Sequence, residues 1–271
     1  MAALPQDGSA VAIPVLLYHS VADQPAVGQE DFTVTLQGFV EHVAAIADVG
    51  GTALTITQLG AALRGERPLP PRAVAVTFDD AFADTQAAAE RLLEAGIPST
   101  IYVQSSRVGQ PDGPSERALR DLDAAGGEIG AHTVSHPYLD SIPLALAAHE
   151  ITESRRRVED LLAHSIDSFA YPHGAYDRKV RAAVIEAGFT SAVAVKNALS
   201  HSGDDPFAIA RWTVMRDTTT ARLTQVLEGK GLPLAWANER RRTRAAREVR
   251  RLRLLTRQLR LRRGGVADHA G

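Results

Sequence analysis

Cysteine is absent from all 271 residues. Its absence excludes disulfide frameworks, thiol nucleophiles, iron–sulfur clusters and cysteine-based zinc sites. Any metal must therefore rest on His, Asp or Glu. Aromatic residues are also scarce, at 5% of the chain. No run approaches the roughly 20 apolar residues of a membrane-spanning helix. The opening MAALPQDGSAVAIPVLLYHS has no basic start, and Pro14 interrupts its apolar stretch. It reads as a strand rather than an export signal, so a cytoplasmic location is expected. What remains, 45% apolar and 23% charged, is ordinary globular composition and excludes disordered and collagen-like classes.

The net charge of -2 conceals two halves of opposite sign. Residues 239–271 hold 12 arginines against Glu239, Glu248 and Asp268, a net of +9, while the preceding 238 residues carry -11. An acidic body thus carries a basic tail.

Within the body, short apolar runs alternate with amphipathic stretches. Val11–Tyr18, Ala73–Phe78, Ser99–Val103, Glu128–Ala131, Ser168–Tyr171, Ser191–Val195 and Ala208–Met215 predict strands. Helices are expected over Thr35–Val49, Asp84–Ala95, Glu116–Ala125, Leu144–Ala163 and Asp177–Ala187. In the first of these, Leu36, Phe39, Val40, Val43 and Ile46 would share one face. Strands separated by helices imply right-handed βαβ units and a parallel sheet. About seven units predict a barrel or doubly wound sheet, with chemistry at the C-terminal ends of the strands.

Three segments at such strand ends carry chemical side chains. Val74-Ala75-Val76-Thr77-Phe78 runs into Asp79-Asp80. Adjacent carboxylates there are costly unless paired or bound to a cation, although one Asp could simply cap the next helix. His132-Thr133-Val134-Ser135-His136 follows another short strand, and imidazoles four apart on one side of a helical turn could reach one ion. Zinc accepts both nitrogen and oxygen donors, and a catalytic site takes three protein ligands; two His and one Asp meet that count. In Tyr171-Pro172-His173-Gly174, Pro and Gly enforce a rigid turn, with Asp177 able to cap the helix beyond. A rigid turn can also aim backbone N–H groups at a substrate oxygen.

Thr77-Phe78-Asp79-Asp80, the His132–His136 segment and Tyr171-Pro172-His173-Gly174, in this order, resemble the NodB-homology polysaccharide deacetylases, carbohydrate esterase family 4. Pro14–Ser20 and Gly96–Val103 are similar to that family too, and the likeness spans roughly residues 11–216. It implies an α/β fold, a distorted (β/α)7-8 barrel. It also implies that Asp80, His132 and His136 hold a divalent metal, with zinc the expected ion. Asp79 would be the general base, and the His173 backbone N–H an oxyanion donor.

Three departures stand out. Ala81 replaces a common Gly, and an ordinary helical conformation is expected there. Ala170 stands where many members have an Arg that orients the base. Arg211 on the last strand could replace it, or could be a surface Arg. The family's late Leu-x-x-His is missing, for residues 212–268 contain no His. In members with an N-terminal Tyr-His segment that His serves as general acid, which assigns the role to His19; a core His bonded to backbone is the alternative. His42, His149 and His164 read as surface or boundary groups, and His201 as a loop residue near a substrate groove.

The expected organisation is a barrel over 11–236 and an Arg-rich amphipathic helix over 237–263, with flexible ends at 1–10 and 264–271. Ala245, Val249, Leu252, Leu255 and Leu259 form an apolar stripe in the tail. It could dock on the barrel or attach to an anionic membrane at its inner surface. Nucleic acid ranks last among partners. The expected activity is metal-dependent removal of the N-acetyl group from an N-acetylated carbohydrate. Hydrolysis of another non-peptide C–N bond, such as a cyclic amide or formamide, is the nearest alternative, and a non-catalytic carbohydrate-binding scaffold is the next. The scarcity of aromatics offers no evident platform for a long polysaccharide and favours small or anchored substrates.

Overall fold

In a computed structural model, which describes residues 10–236, 245 and 247–250, seven parallel strands close into a barrel. They are β1 (Val15–Tyr18), β2 (Ala73–Phe78), β3 (Ser99–Val103), β4 (Glu128–Ala131), β5 (Ser168–Ala170), β6 (Ser191–Val195) and β7 (Ile209–Thr213). Neighbours in sequence are neighbours in the sheet from β2 to β7, and β1 closes the ring between β7 and β2. The seam between β4 and β5 pairs at a single position, Ala131 with Phe169, whereas β1 and β2 pair at four. The barrel is distorted at that seam, beside the loops that follow both strands.

The predicted strand over residues 11–18 breaks at Pro14, which has no N–H to give to a ladder. Ala12–Ile13 instead pairs antiparallel with Ser200–His201 at the N-terminal end of the barrel. His201 therefore lies away from the strand ends where a substrate groove was expected.

Around the barrel lie α1 (Leu36–Asp48), α2 (Ile56–Leu63), α3 (Thr85–Glu94), α4 (Glu116–Ala124), α5 (Leu144–Leu162), α6 (Arg178–Glu186) and α7 (Thr220–Leu227). Thr35, Ser115, Asp177 and Thr219 cap α1, α4, α6 and α7 with their side chains. Side chains of α1 buried against the barrel include Phe39, His42, Val43 and Ile46, while Leu36 and Val40 are exposed. The face is thus rotated from the one the apolar residues mark. His42 is not a surface group: its Nδ1 meets Tyr18 Oη at 3.1 Å and its Nε2 the Thr218 carbonyl at 3.1 Å. Both ring nitrogens are satisfied, which is what permits the burial.

Two apolar layers follow from the strand period of two. In β2, Val74, Val76 and Phe78 pack outward with the helices, while Ala73 and Ala75 join an interior cluster with Val15, Tyr102, Ala170, Val193 and Ile209. Helix α2, absent from the sequence reading, stoppers the N-terminal end. Its Ile56 and Leu59 belong to the interior cluster, its first turn bonds to Thr100 and Glu128, and a Cβ at Gly60 would stand 2.7 Å from Ser191 Cβ. With that end closed, the open end is where the strands finish. Among the described residues, no helix is long and apolar enough to cross a membrane.

Candidate active site

The alternation that sends Ala73, Ala75 and Thr77 inward along β2 sends Asp79 inward as well. On β7 the same rule turns Ile209 and Arg211 inward. The two side chains meet: Arg211 Nη1 and Nη2 donate to Asp79 Oδ1 and Oδ2 at 2.6 and 2.7 Å, and Nη1 also reaches Thr77 Oγ1 at 3.1 Å. Arg211 is fully buried and is not the surface group that was its alternative. Burial by itself would raise the Asp79 pKa. The Arg211 and His132 charges, with the hydrogen bonds from Arg211, outweigh it and hold the carboxyl well below the usual carboxylate range. Ala170 sits in the same interior cluster, so a side chain truncated on β5 is matched by a long cation reaching in from β7.

Beyond Asp79 the backbone turns sharply. Asp80 and Ala81 have φ of +64° and +50°, which corrects the helical conformation expected at Ala81. The reversal is required because two successive side chains of an extended strand point to opposite faces, whereas both carboxylates here address the site. A left-handed non-glycine costs on the order of 1–2 kcal/mol, and Thr133, His136 and His173 are also in that region. Neither Asp79 nor Asp80 caps a helix; α3 begins only at Thr85, after Asp84.

The His132–His136 segment is a compact loop, not the helical turn the spacing suggested. Thr133 Oγ1 accepts from the His136 N–H at 3.0 Å and folds the loop back. His132 Nδ1 donates to the Ala170 carbonyl at 2.8 Å, which leaves the Nε2 lone pair facing the site. Nε2 of His132 and His136 are 3.1 Å apart, and Asp80 Oδ1 lies 3.7 and 3.4 Å from them. Donors about 2.1 Å from one tetrahedral ion stand about 3.4 Å from each other. The three side chains therefore fit a single divalent cation of zinc's size. Burial lowers the His136 pKa to about 4, assisted by the neighbouring His132 and His173 and opposed by Asp80 and Asp79, so its imidazole is neutral near pH 7.

One residue that holds this loop escaped the sequence reading. Glu150 of α5 is nearly buried and accepts from the backbone N–H groups of Val134 and Ser135, both at 2.9 Å, and from Ser135 Oγ at 2.7 Å. A lone Glu among the many charged residues of α5 offers no signal in sequence. Tyr138 was missed too. Its ring stacks on His173 with centroids 3.8 Å apart and planes 13° apart, and His173 meets the His136 ring edge-on at 4.3 Å. Burial lowers the His173 pKa, with His132 acting in the same direction. Gly130 explains a further constraint: a Cβ there would lie 2.6 Å from the Tyr102 ring.

His19 ends β1 at the same end of the barrel. Its ring packs 5.1 Å from that of Phe32, and its Nδ1 is buried with no hydrogen-bond partner among the described residues. Burial lowers its pKa, while the Asp79 and Asp80 carboxylates pull it upward. The structure thus brings Asp79, Asp80, His132, His136, His173 and Arg211 into contact, with His19 within electrostatic reach of both carboxylates. Of the other histidines, His149 is exposed and His164 is bonded at the surface to Asp123.

A family profile described as polysaccharide deacetylase matches residues 66–192, the stretch that contains the Asp pair, the His132–His136 loop and the third turn. Over that stretch the chain is similar to the polysaccharide deacetylases, the family that its three motifs resemble. YxkH of Bacillus subtilis, by description a polysaccharide deacetylase, is 22% identical over 200 residues, 73% of this chain and 70% of that protein. Among solved structures, the deacetylase PplD of Streptococcus pyogenes in complex with acetate superposes with a TM-score of 0.74 at 19% identity, covering 81% of this chain and 99% of that one. IcaB of Ammonifex degensii gives 0.71 at 20% identity, covering 80% and 97%. At these identities the superpositions speak for the fold.

Of the Arg-rich tail, only 245 and 247–250 fall among the described residues. Ala245 and Val249, two members of the proposed apolar stripe, are exposed, whereas Arg247 is buried. In this portion the polar face meets the barrel. The rest of the tail and the ends at 1–9 and 264–271 lie outside the described residues.

Proposed function

We propose that this chain is a deacetylase, a hydrolase of a non-peptide carbon–nitrogen bond, that acts on N-acetylated sugar units, with a divalent metal, zinc in our reading, held by Asp80, His132 and His136. The observation that carries this is the trio of donor atoms at 3.1–3.7 Å from one another beside a carboxylate locked to a buried arginine. A metal bound there would supply Lewis acidity and bring the pKa of water towards about 7. The chain's own groups would do the rest. Asp79, ionised and oriented by two hydrogen bonds from Arg211, accepts a proton from the attacking water. Arg211 keeps both carboxylate oxygens fixed and sets the direction from which that proton is taken.

His173, in a left-handed turn stiffened by Pro172 and Gly174, offers its backbone N–H to the developing oxyanion. His19 is the general acid that protonates the departing amine. Its Nδ1, without a hydrogen-bond partner among the described residues, and its position beside both carboxylates support that role. No His over 212–268 offers itself for the same role.

The test is acetate release from N-acetylglucosamine oligomers and other acetylated sugars, comparing protein supplied with zinc and protein treated with chelator. Zinc-dependent release abolished by Asp79→Asn, with metal content unchanged, is the expected result. No release from protein shown to hold metal would defeat the N-acetyl sugar assignment.

A further inference from the structure

Arg250, in the described part of the basic tail, reaches the catalytic end of the barrel. Arg250 Nη2 donates to Asp140 Oδ2 at 2.8 Å, and its Nε lies 3.5 Å from Ser141 Oγ. Asp140 is buried, so this ion pair lies where water competes poorly. The guanidinium carbon stands 4.8 Å from the centroid of the Tyr138 ring. One face of that ring is filled by His173 at 3.8 Å; the guanidinium occupies the other. The result is a continuous stack, Arg250 on Tyr138 on His173, ending edge-on against the His136 ring.

We propose that Arg250 is a positioning residue of the substrate site: it clamps Tyr138 against His173 and so completes the wall that a bound sugar meets beside His136. Three observations carry this. Tyr138 is 39% exposed, so its edge is open to a ligand although its faces are covered. It follows directly on the His132–His136 loop and Pro137, so its placement bears on the loop carrying two of the site histidines. Arg250 meets Asp140, Ser141 and Tyr138, whereas Asp79 is held by Arg211, so Arg250 acts on the wall and not on the proton-transfer groups. A cation over an aromatic face is attracted by the ring quadrupole, and a wall fixed before binding spares the ligand the cost of ordering it. Arg250 is thereby a part of the substrate site.

The experiment compares full-length wild type, Arg250→Ala and Arg250→Lys by two readouts. The first needs neither metal nor substrate: NMR of the histidine ring protons in chelator-treated protein, with the His173 signals assigned by His173→Gln. In Arg250→Ala the His173 signals should move towards those of an unstacked imidazole, and Arg250→Lys, which keeps a cation for Asp140 and Tyr138, should restore part of the shift. The second readout rests on the deacetylase reading. KM for an acetylated oligosaccharide should rise up to about tenfold in Arg250→Ala, with kcat within about twofold of wild type. His173 signals unmoved by Arg250→Ala would overturn the proposal, as would an unchanged KM in an active enzyme. A joint fall in kcat and unfolding midpoint would also overturn it, since that marks a merely structural contact. If wild type releases no acetate from any oligomer, the functional reading has failed, and the histidine spectrum alone decides the clamp.

Discussion

Removing the Arg211 guanidinium is the most severe single test of how this site is built. The pair it forms with Asp79 is bidentate at 2.6 and 2.7 Å, and Arg211 and Asp79 are 0% and 3% exposed. Deleting one member of such a pair leaves an uncompensated charge in the barrel interior, which costs about 3–5 kcal/mol. Arg211→Ala, unfolded in urea at pH 7 with chelator present, should lose that much stability. The sign of the pH dependence is a sharper check. In the wild type Asp79 titrates below its unfolded value, so its contribution is complete above the ordinary carboxylate range and is lost as pH falls through it. Without Arg211 the burial that opposes ionisation is no longer outweighed, and the Asp79 pKa rises above its unfolded value. The variant's deficit should therefore shrink between pH 7 and pH 5, as the buried carboxylate takes up a proton. Asp79→Asn combined with Arg211→Ala should cost less than the two single changes added together. A loss below about 1 kcal/mol, or a deficit independent of pH, would refute the claim that the guanidinium is what keeps Asp79 ionised.

Three further outcomes follow from the same geometry. Glu150→Ala strands the N–H groups of Val134 and Ser135, and loosening a loop that orients ligands costs roughly 10–100-fold in metal affinity; competition against a chelator dye measures it, and unchanged affinity would remove Glu150 from the site. Ala81→Gly relieves a residue at φ +50° but gives up a buried methyl worth about 0.8 kcal/mol, so the urea midpoint should rise slightly or stay level; a loss above about 1 kcal/mol would mean the turn is not strained. In chelated protein the stability owed to neutral His136 is complete above its unfolded pKa near 6.5 and is lost as pH falls towards its folded value of about 4. The slope over that window should flatten in His136→Gln, and an identical slope would show that another group sets it.

These tests bear on residues that were unequally legible in the sequence. The apolar run of β2 announces the strand and sets Asp79 and Asp80 at its end, and about seven strand–helix units announce the barrel; the inward course of Ala75 and Asp79 comes from the structure. Arg211 could be named only as a candidate, because nothing local marks an arginine in a strand as buried; the decision is made by Asp79 across the barrel, 132 positions away. The helix α2 was invisible for a related reason. Gly60 is a poor helix signal in a segment of only eight residues, yet its missing side chain is what lets the helix approach Ser191 at the barrel floor.

The positive-φ turns were misread in the other direction. Ala81 looks like an ordinary helical residue by propensity, and His132–His136 like one turn of helix by its spacing of four. The left-handed conformations at Asp80, Ala81, Thr133 and His136 are imposed by the need to converge three donors on one point, and they are held by Thr133, Glu150 and the barrel beneath. Strain that local preference opposes can persist only where the surroundings over-determine it. The residues that defeat a local reading here are therefore the ones the site depends on. The same reasoning makes Arg250 the least legible of all: it is one arginine among 12 in a basic tail, and its place is set by a buried aspartate and an aromatic ring more than 100 positions away.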